Sequence, residues 1–123
     1  MLDVETPDVE GIVRQLLLPL GGTVATKVPK DRPAEFIRVS VTGGSGGLVL
    51  DVPSVLVECW AGSTVRAGEL ARQARSLLID SRFDVVDGWQ VYGIDCAYPA
   101  YYPDETSDRY QFPANVRVRR TRG

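Results

Sequence analysis

The stretch Arg109-Tyr110-Gln111-Phe112-Pro113-Ala114-Asn115-Val116-Arg117-Val118-Arg119 decides the fold. Tyr110, Phe112, Ala114, Val116 and Val118 share one parity, and Arg109, Gln111, Asn115, Arg117 and Arg119 share the other. A period of two sends successive side chains to opposite faces, so this is a strand with an apolar inner face and a basic outer one. Pro113 stands on the outer parity and cannot donate to a ladder, which predicts an edge position or a bulge there. Upstream, Trp89 to Tyr98 also reads as a strand, and the proline-bearing stretch from Pro99 to Asp108 between them as a connection.

Farther toward the N-terminus the period changes. From about Thr64 to Ile79, Ala67, Leu70, Ala71, Ala74, Leu77 and Leu78 form one helical stripe against Arg66, Glu69, Arg72, Gln73 and Arg75. Ser63 or Thr64 can cap this helix. Ser54 to Ala61 is apolar on both faces except at Glu58, as expected of an interior strand. Phe36 to Thr42 alternates, with Ile37, Val39 and Val41 opposite Arg38 and Ser40. Gly43-Gly44-Ser45-Gly46-Gly47 then predicts a flexible tip outside any packed element. Thr23 to Val28 is a short β-prone segment. A first helix starts at Thr6-Pro7-Asp8, with Thr6 as cap and Pro7 in the first helical position. Val9, Ile12, Val13, Leu16 and Leu17 make its buried face, and Pro19 with Gly21-Gly22 ends it. The order helix, three strands, helix, two strands predicts an α+β fold: a largely antiparallel sheet with two helices packed against one face.

With 123 residues the chain fits one domain over 1–123. Its net charge of −2 speaks against bulk attraction to nucleic acid or membrane surfaces. Histidine is absent, which removes the usual general base and the commonest metal ligand. The two cysteines, Cys59 and Cys96, form no C-x-x-C pair and offer zinc no four-ligand set. They read as reduced, small apolar residues, although sequence alone leaves a disulfide open. Asp104, Glu105 and Asp108 are close together but lack calcium-loop spacing, and Pro103-Asp104 is a turn signal. Arg32, Arg38 and Arg109 could suggest an anion site, but no phosphate loop accompanies them. Ser45 and Ser63 have no candidate base. Tyr98, Tyr101 and Tyr102 suit packing or subunit contact, and Trp60 and Trp89 read as core or interface anchors. No catalytic, cofactor-binding or metal-binding residue is therefore expected, and the chain is not expected to be an enzyme.

The start Met1-Leu2-Asp3-Val4-Glu5 lacks the positive region of a signal peptide, and no apolar run reaches membrane-spanning length. The expectation is a soluble protein made in the cytoplasm. Acidic residues crowd the first ten positions, at Asp3, Glu5, Asp8 and Glu10. Arg117, Arg119, Arg120 and Arg122 crowd the other end. Such polarity suits head-to-tail contact between identical copies as well as simple solvation.

Several blocks taken in order resemble the tail-terminator proteins of long-tailed (siphovirus-type) phages and related prophages of high-GC bacteria. They are Val28-Pro29, Arg32-Pro33 with Phe36-Ile37-Arg38-Val39, Thr42-Gly43-Gly44, and Asp51-x-Pro53. Glu58-Cys59-Trp60-Ala61 follows, then the alanine-rich helix Ala67 to Leu78, Pro103-Asp104, and Arg109-Tyr110-Gln111-Phe112 with its arginine-bearing strand. The 12 arginines against two lysines fit a high-GC genome. The glycine-loaded tip and Pro113 depart from the pattern. The resemblance implies a homo-oligomer, a hexameric ring in the neck region of the virion tail. Such a ring caps the tail tube, stops polymerisation of the major tail tube protein, and meets a head–tail connector or stopper protein. Genome DNA would pass through it without sequence-specific contact. Neighbouring head-closure or connector neck proteins are the alternative, and a small-ligand protein or enzyme is more distant. Gly43, Gly44, Ser45, Gly46 and Gly47, with the outward row Arg109, Gln111, Arg117 and Arg119, are the candidate interface residues. A ring requires two different complementary edges. The last strand's outer face and the acidic N-terminal segment are the candidates for them.

Overall fold

A computed structural model describes residues 5–25, 27, 33–46, 50–103 and 108–121. Helix α1 (Val9–Leu17) is capped by Asp8, whose carboxylate accepts from the Gly11 N–H at 3.1 Å. The helix therefore starts two residues later than Thr6 as cap would place it, and Pro7 lies outside it. An ionised cap both satisfies an orphan N–H and complements the positive helix end. Val9, Ile12, Val13 and Leu17 are buried. A 3-10 turn at Leu18–Leu20 follows, and Gly21 closes it in the left-handed region at φ 75°.

The strands are β1 (Thr23–Ala25), β2 (Phe36–Gly46), β3 (Asp51–Ala61), β4 (Val85–Val86), β5 (Trp89–Cys96), β6 (Ala100–Pro103) and β7 (Asp108–Arg120). Helix α2 (Thr64–Asp80) joins β3 to β4, capped by Ser63, whose hydroxyl accepts from the Arg66 N–H at 3.2 Å. One sheet runs β1-β2-β3-β7-β5-β4, with β6 also paired to β7. The fold is α+β, but the sheet is mixed: β1 pairs parallel to β2, and the remaining pairs are antiparallel. Alternation reports which face a residue occupies and is blind to strand direction, so the parallel pair was not readable from it.

The core unites Ile37, Val39, Val55, Val57, Cys59, Phe112, Ala114, Val116 and Val118 with the buried faces of α1 and α2. The register explains the set. Ile37 pairs with Cys59 and Val39 with Val57, while Val57 and Val55 meet Phe112 and Ala114. The inner parity of β7 is the one that alternation assigns.

Three elements differ from expectation. Gly43 to Gly46 is not a free tip: these residues extend β2 and pair with Ser54 to Asp51 of β3 after a bulge between Val41 and Gly43. Gly47 lies outside the described residues. Backbone pairing needs no side chain, so low side-chain content does not exclude a strand. Gly44, at φ 121°, lies so close to β3 that a Cβ would sit 2.5 Å from the Pro53 Cα. Second, Pro113 sits on an interior strand, between β3 and β5, rather than at an edge or bulge. Its carbonyl accepts from the Ala97 N–H at 3.0 Å, so its ring nitrogen faces the gap between the end of β5 and the start of β6. No donor is needed there. Third, the stretch from Pro99 to Asp108 contains β6, and Asp87-Gly88 makes a two-residue hairpin between β4 and β5, both residues at positive φ.

Among the described residues no helix is long and apolar enough to cross a membrane.

Candidate functional site

The outward residues of β7 fall into two groups with different surroundings. Arg109 is built into the fold. Its Nη1 donates to Glu58 Oε2 at 3.1 Å, and its guanidinium stands 5.4 Å from the Trp60 ring centroid and 5.9 Å from that of Tyr102. Arg38, directly opposite Glu58 in the β2–β3 register, donates from Nε to Oε1 at 2.7 Å. Each carboxylate oxygen thus has its own guanidinium, and Glu58 is only 2% exposed. Phe36 and Trp60, stacked at 4.6 Å, flank the clamp. All of this lies on the parity opposite the helix-bearing core. Gln111, half-buried, pairs in register with Glu58 and Ala100.

Arg117 and Arg119 occupy the other end of β7. Arg117 reaches Asp95 at 3.4 Å, with both side chains well exposed. It crosses β5 at Gly93, where a Cβ would collide with its guanidinium. Arg119 pairs in register with Gln90 and lines an open groove with Gln90, Tyr92, Arg120 and Thr121. Gly43, Gly44, Ser45 and Gly46 are all exposed. Gly46 pairs with Asp51, which in turn pairs with Val118, so the glycine segment lies two strands, about 10 Å, from the Arg117–Arg119 end. Arg109 is eight residues farther along, roughly 27 Å away. The fold brings the glycines together with Arg117 and Arg119, and separates them from Arg109 and Gln111.

The two charged ends of the chain meet within one copy: Arg120 Nε stands 3.6 Å from Glu5 Oε2. Those two charges are therefore not on separate edges, as a head-to-tail contact between them would require.

The Arg38–Glu58–Arg109 clamp is the feature that sequence reasoning passed over. Its signal was present, since Glu58 alone breaks an otherwise apolar strand. Arg38 and Arg109, raised together with Arg32 as a possible anion site, do converge, and the anion they hold is the chain's own carboxylate. Arg32 lies outside the described residues, as do Asp104 and Glu105. Asp108 accepts from Thr64 Oγ1 at 2.7 Å and from the Tyr101 hydroxyl at 2.8 Å. The hydrogen bond to that carboxylate holds the Tyr101 phenol above its ordinary pKa. Tyr101 tilts against Tyr110, Tyr102 faces Arg109, and Tyr98 stands apart over Arg75. Trp60 and Trp89 are buried anchors. Among the described residues no group of three or more His, Cys, Asp or Glu is arranged to hold a metal.

Both cysteines are free thiols, on β3 and β5 with β7 between them, beyond the reach of a disulfide. Burial pushes the Cys59 thiol up to about 12, and burial raises Cys96 to about 11. A raised thiol pKa means less thiolate, the reactive form. At pH 8 the folded protein is expected to leave Cys59 unlabelled by an aromatic disulfide reagent and to label Cys96 far more slowly than a free thiol. Both should react at once in denaturant. Rapid labelling of two thiols in the native protein would contradict the burial of β3.

No protein-family model and no curated protein matches this chain.

Proposed function

We propose that the chain is a structural subunit of a long-tailed phage virion, a tail terminator. In this reading it assembles as a hexameric ring on the last ring of the tail tube, stops tube-protein addition, and offers its far face to a head–tail connector protein. The ordered sequence blocks resembling that family support the reading. The observation that carries it from the geometry is the division of labour across β7. The inner parity of that strand is committed to the core, while Arg117 and Arg119 stand outside it beside the exposed glycine end of β2. Such rows fix register and partner choice more than raw affinity. The packing of both helices on one sheet face is part of this reading. It is supported by their membership of a single core cluster.

A tube subunit has no intrinsic stop along its axis, because head-to-tail contacts repeat indefinitely. Deleting the gene is expected to give tubes of uncontrolled length and heads without joined tails. Electron micrographs of a deletion lysate test this, and finished virions of normal tail length would end the reading. Reversing Arg117 and Arg119 to Glu is expected to keep the fold within about 1 kcal/mol, since both are half-exposed and lie outside the core. The same variant should fail to complement the deletion. Full complementation would remove this face from the attachment surface.

A further inference from the structure

The arginines at the end of β7 are partnered unequally. Arg117 is led away along the sheet. The register of β5 shifts between Val91 and Gly93, so Tyr92 is one extra residue at that point. Bare Gly93, rather than Tyr92, then stands opposite Arg117, whose guanidinium crosses it toward Asp95. Arg120 is shared between Glu5, the Asp87 carbonyl and the Trp89 ring. Arg119 has no such outlet. Among the described residues its guanidinium has neither an ion pair nor a hydrogen bond, and the side chains of Gln90 and Tyr92 have no hydrogen bond either.

These three half-buried side chains line one groove of about 460 Å³, with Arg120 and Thr121. Gln90 lies directly opposite Arg119 across the β5–β7 ladder, and Tyr92 occupies the bulge beside it. No carboxylate belongs to the lining. Two other grooves of comparable size each hold two, Glu69 and Asp80 in one and Asp8 and Asp51 in the other. The Thr121 hydroxyl already donates to the Gly88 carbonyl at 2.9 Å. The uncommitted donors are therefore the Arg119 guanidinium, the Gln90 amide and the Tyr92 phenol.

We propose that this groove is an anion site for a phosphate group, held by Arg119, Gln90 and Tyr92. A guanidinium presents a planar fork whose two parallel N–H donors match one edge of a phosphate. The Gln90 amide and the Tyr92 hydroxyl add donors from the neighbouring strand, about 4.8 Å away. Donors arriving from two strands suit a tetrahedral ion with three terminal oxygens better than a planar carboxylate. Arg120 contributes a second positive charge, partly neutralised by Glu5. The volume lies within the range of small-molecule sites, about 300–1,000 Å³, so a phosphate monoester fits as well as the free ion. The site goes beyond the tail reading and does not rest on it.

The test is an NMR titration of the full-length protein at constant pH and matched ionic strength, following the Arg119 Nε–H and Gln90 amide signals. Inorganic phosphate, phenyl phosphate and acetate are the probes. Both phosphates are expected to shift these signals saturably, and acetate far less. Tighter binding of phenyl phosphate would assign the site to a monoester whose organic part lies against the Tyr92 ring. Affinity no better than that of inorganic phosphate would assign it to the free ion. Arg119→Gln should weaken binding about tenfold or more, as expected for losing a hydrogen bond to a charged group. Its melting temperature without ligand should match wild type, because Arg119 lies outside the core. Tyr92→Phe keeps the ring and removes one donor, so it should weaken binding by a smaller factor. Arg72→Gln removes the same charge from α2 and should leave binding unchanged. Shifts that never saturate, an equal response to acetate, or wild-type binding by Arg119→Gln would each overturn the site. So would equal weakening by Arg72→Gln, which would reduce the effect to net charge. Normal virions from a deletion lysate would remove the tail reading and leave phosphate binding intact.

Discussion

Replacing Glu58 by alanine is expected to cost about 3 kcal/mol, the lower part of the range for breaking a buried ion pair by removing one partner. The reason lies in what remains. Arg38 and Arg109 would keep their positions beside the Trp60 ring with no anion between them. Their side chains are a third and a quarter exposed, so water relieves part of the loss, and the upper end of the range does not apply. Glu58→Gln keeps an acceptor for one arginine, turns an amide donor toward the other and loses the charge, so it should fall between alanine and wild type. Urea unfolding at neutral pH measures the effect as a lowered midpoint at unchanged slope. For a chain of this size the same loss lowers the melting temperature by roughly 10 °C. A midpoint for Glu58→Ala equal to wild type would mean that the clamp contributes nothing to stability. High salt should change the wild-type value little, since a buried pair is weakly screened.

That clamp marks the limit of what the residues disclose on their own. Alternation from Arg109 to Arg119 identifies the core parity of β7 because one buried face imposes a strict period. The stripe from Ala67 to Leu78 identifies α2 for the same reason. Where no side chain is buried, no period exists: Gly43 to Gly46 forms strand through its backbone alone and carries no apolar signal. Reading the glycines as a tip hid the full length of β2 and its pairing with the start of β3. Asp87-Gly88 between Val86 and Trp89 was a usable hairpin signal. Pro113 was a true signal of a missing ladder bond, but it marks a gap in the neighbouring strand rather than the edge of its own.

Leu70→Asp is expected to abolish folding or solubility outright. Leu70 is 4% exposed at the middle of α2, and with Leu20, Val24 and Ile37 it borders a void of only about 10 Å³. Truncation to alanine there would cost about 2–5 kcal/mol through lost transfer energy and a cavity. Aspartate adds to that loss a carboxylate with no cation and no room for its hydration shell. The sum is comparable to the whole stability of a typical domain, about 5–15 kcal/mol. Arg72→Ala, two residues on and exposed, should stay within about 0.5 kcal/mol of wild type. Circular dichroism melts of the two variants side by side make the comparison. A soluble Leu70→Asp protein with a wild-type melt would mean that α2 does not present this face to the core. The core assignment links the stability of the sheet to the faces it displays. Leu70→Asp should therefore fail to complement a gene deletion because it does not fold, whereas the Arg117 and Arg119 reversal should fail while folded. Only the second of these losses can be assigned to an interface.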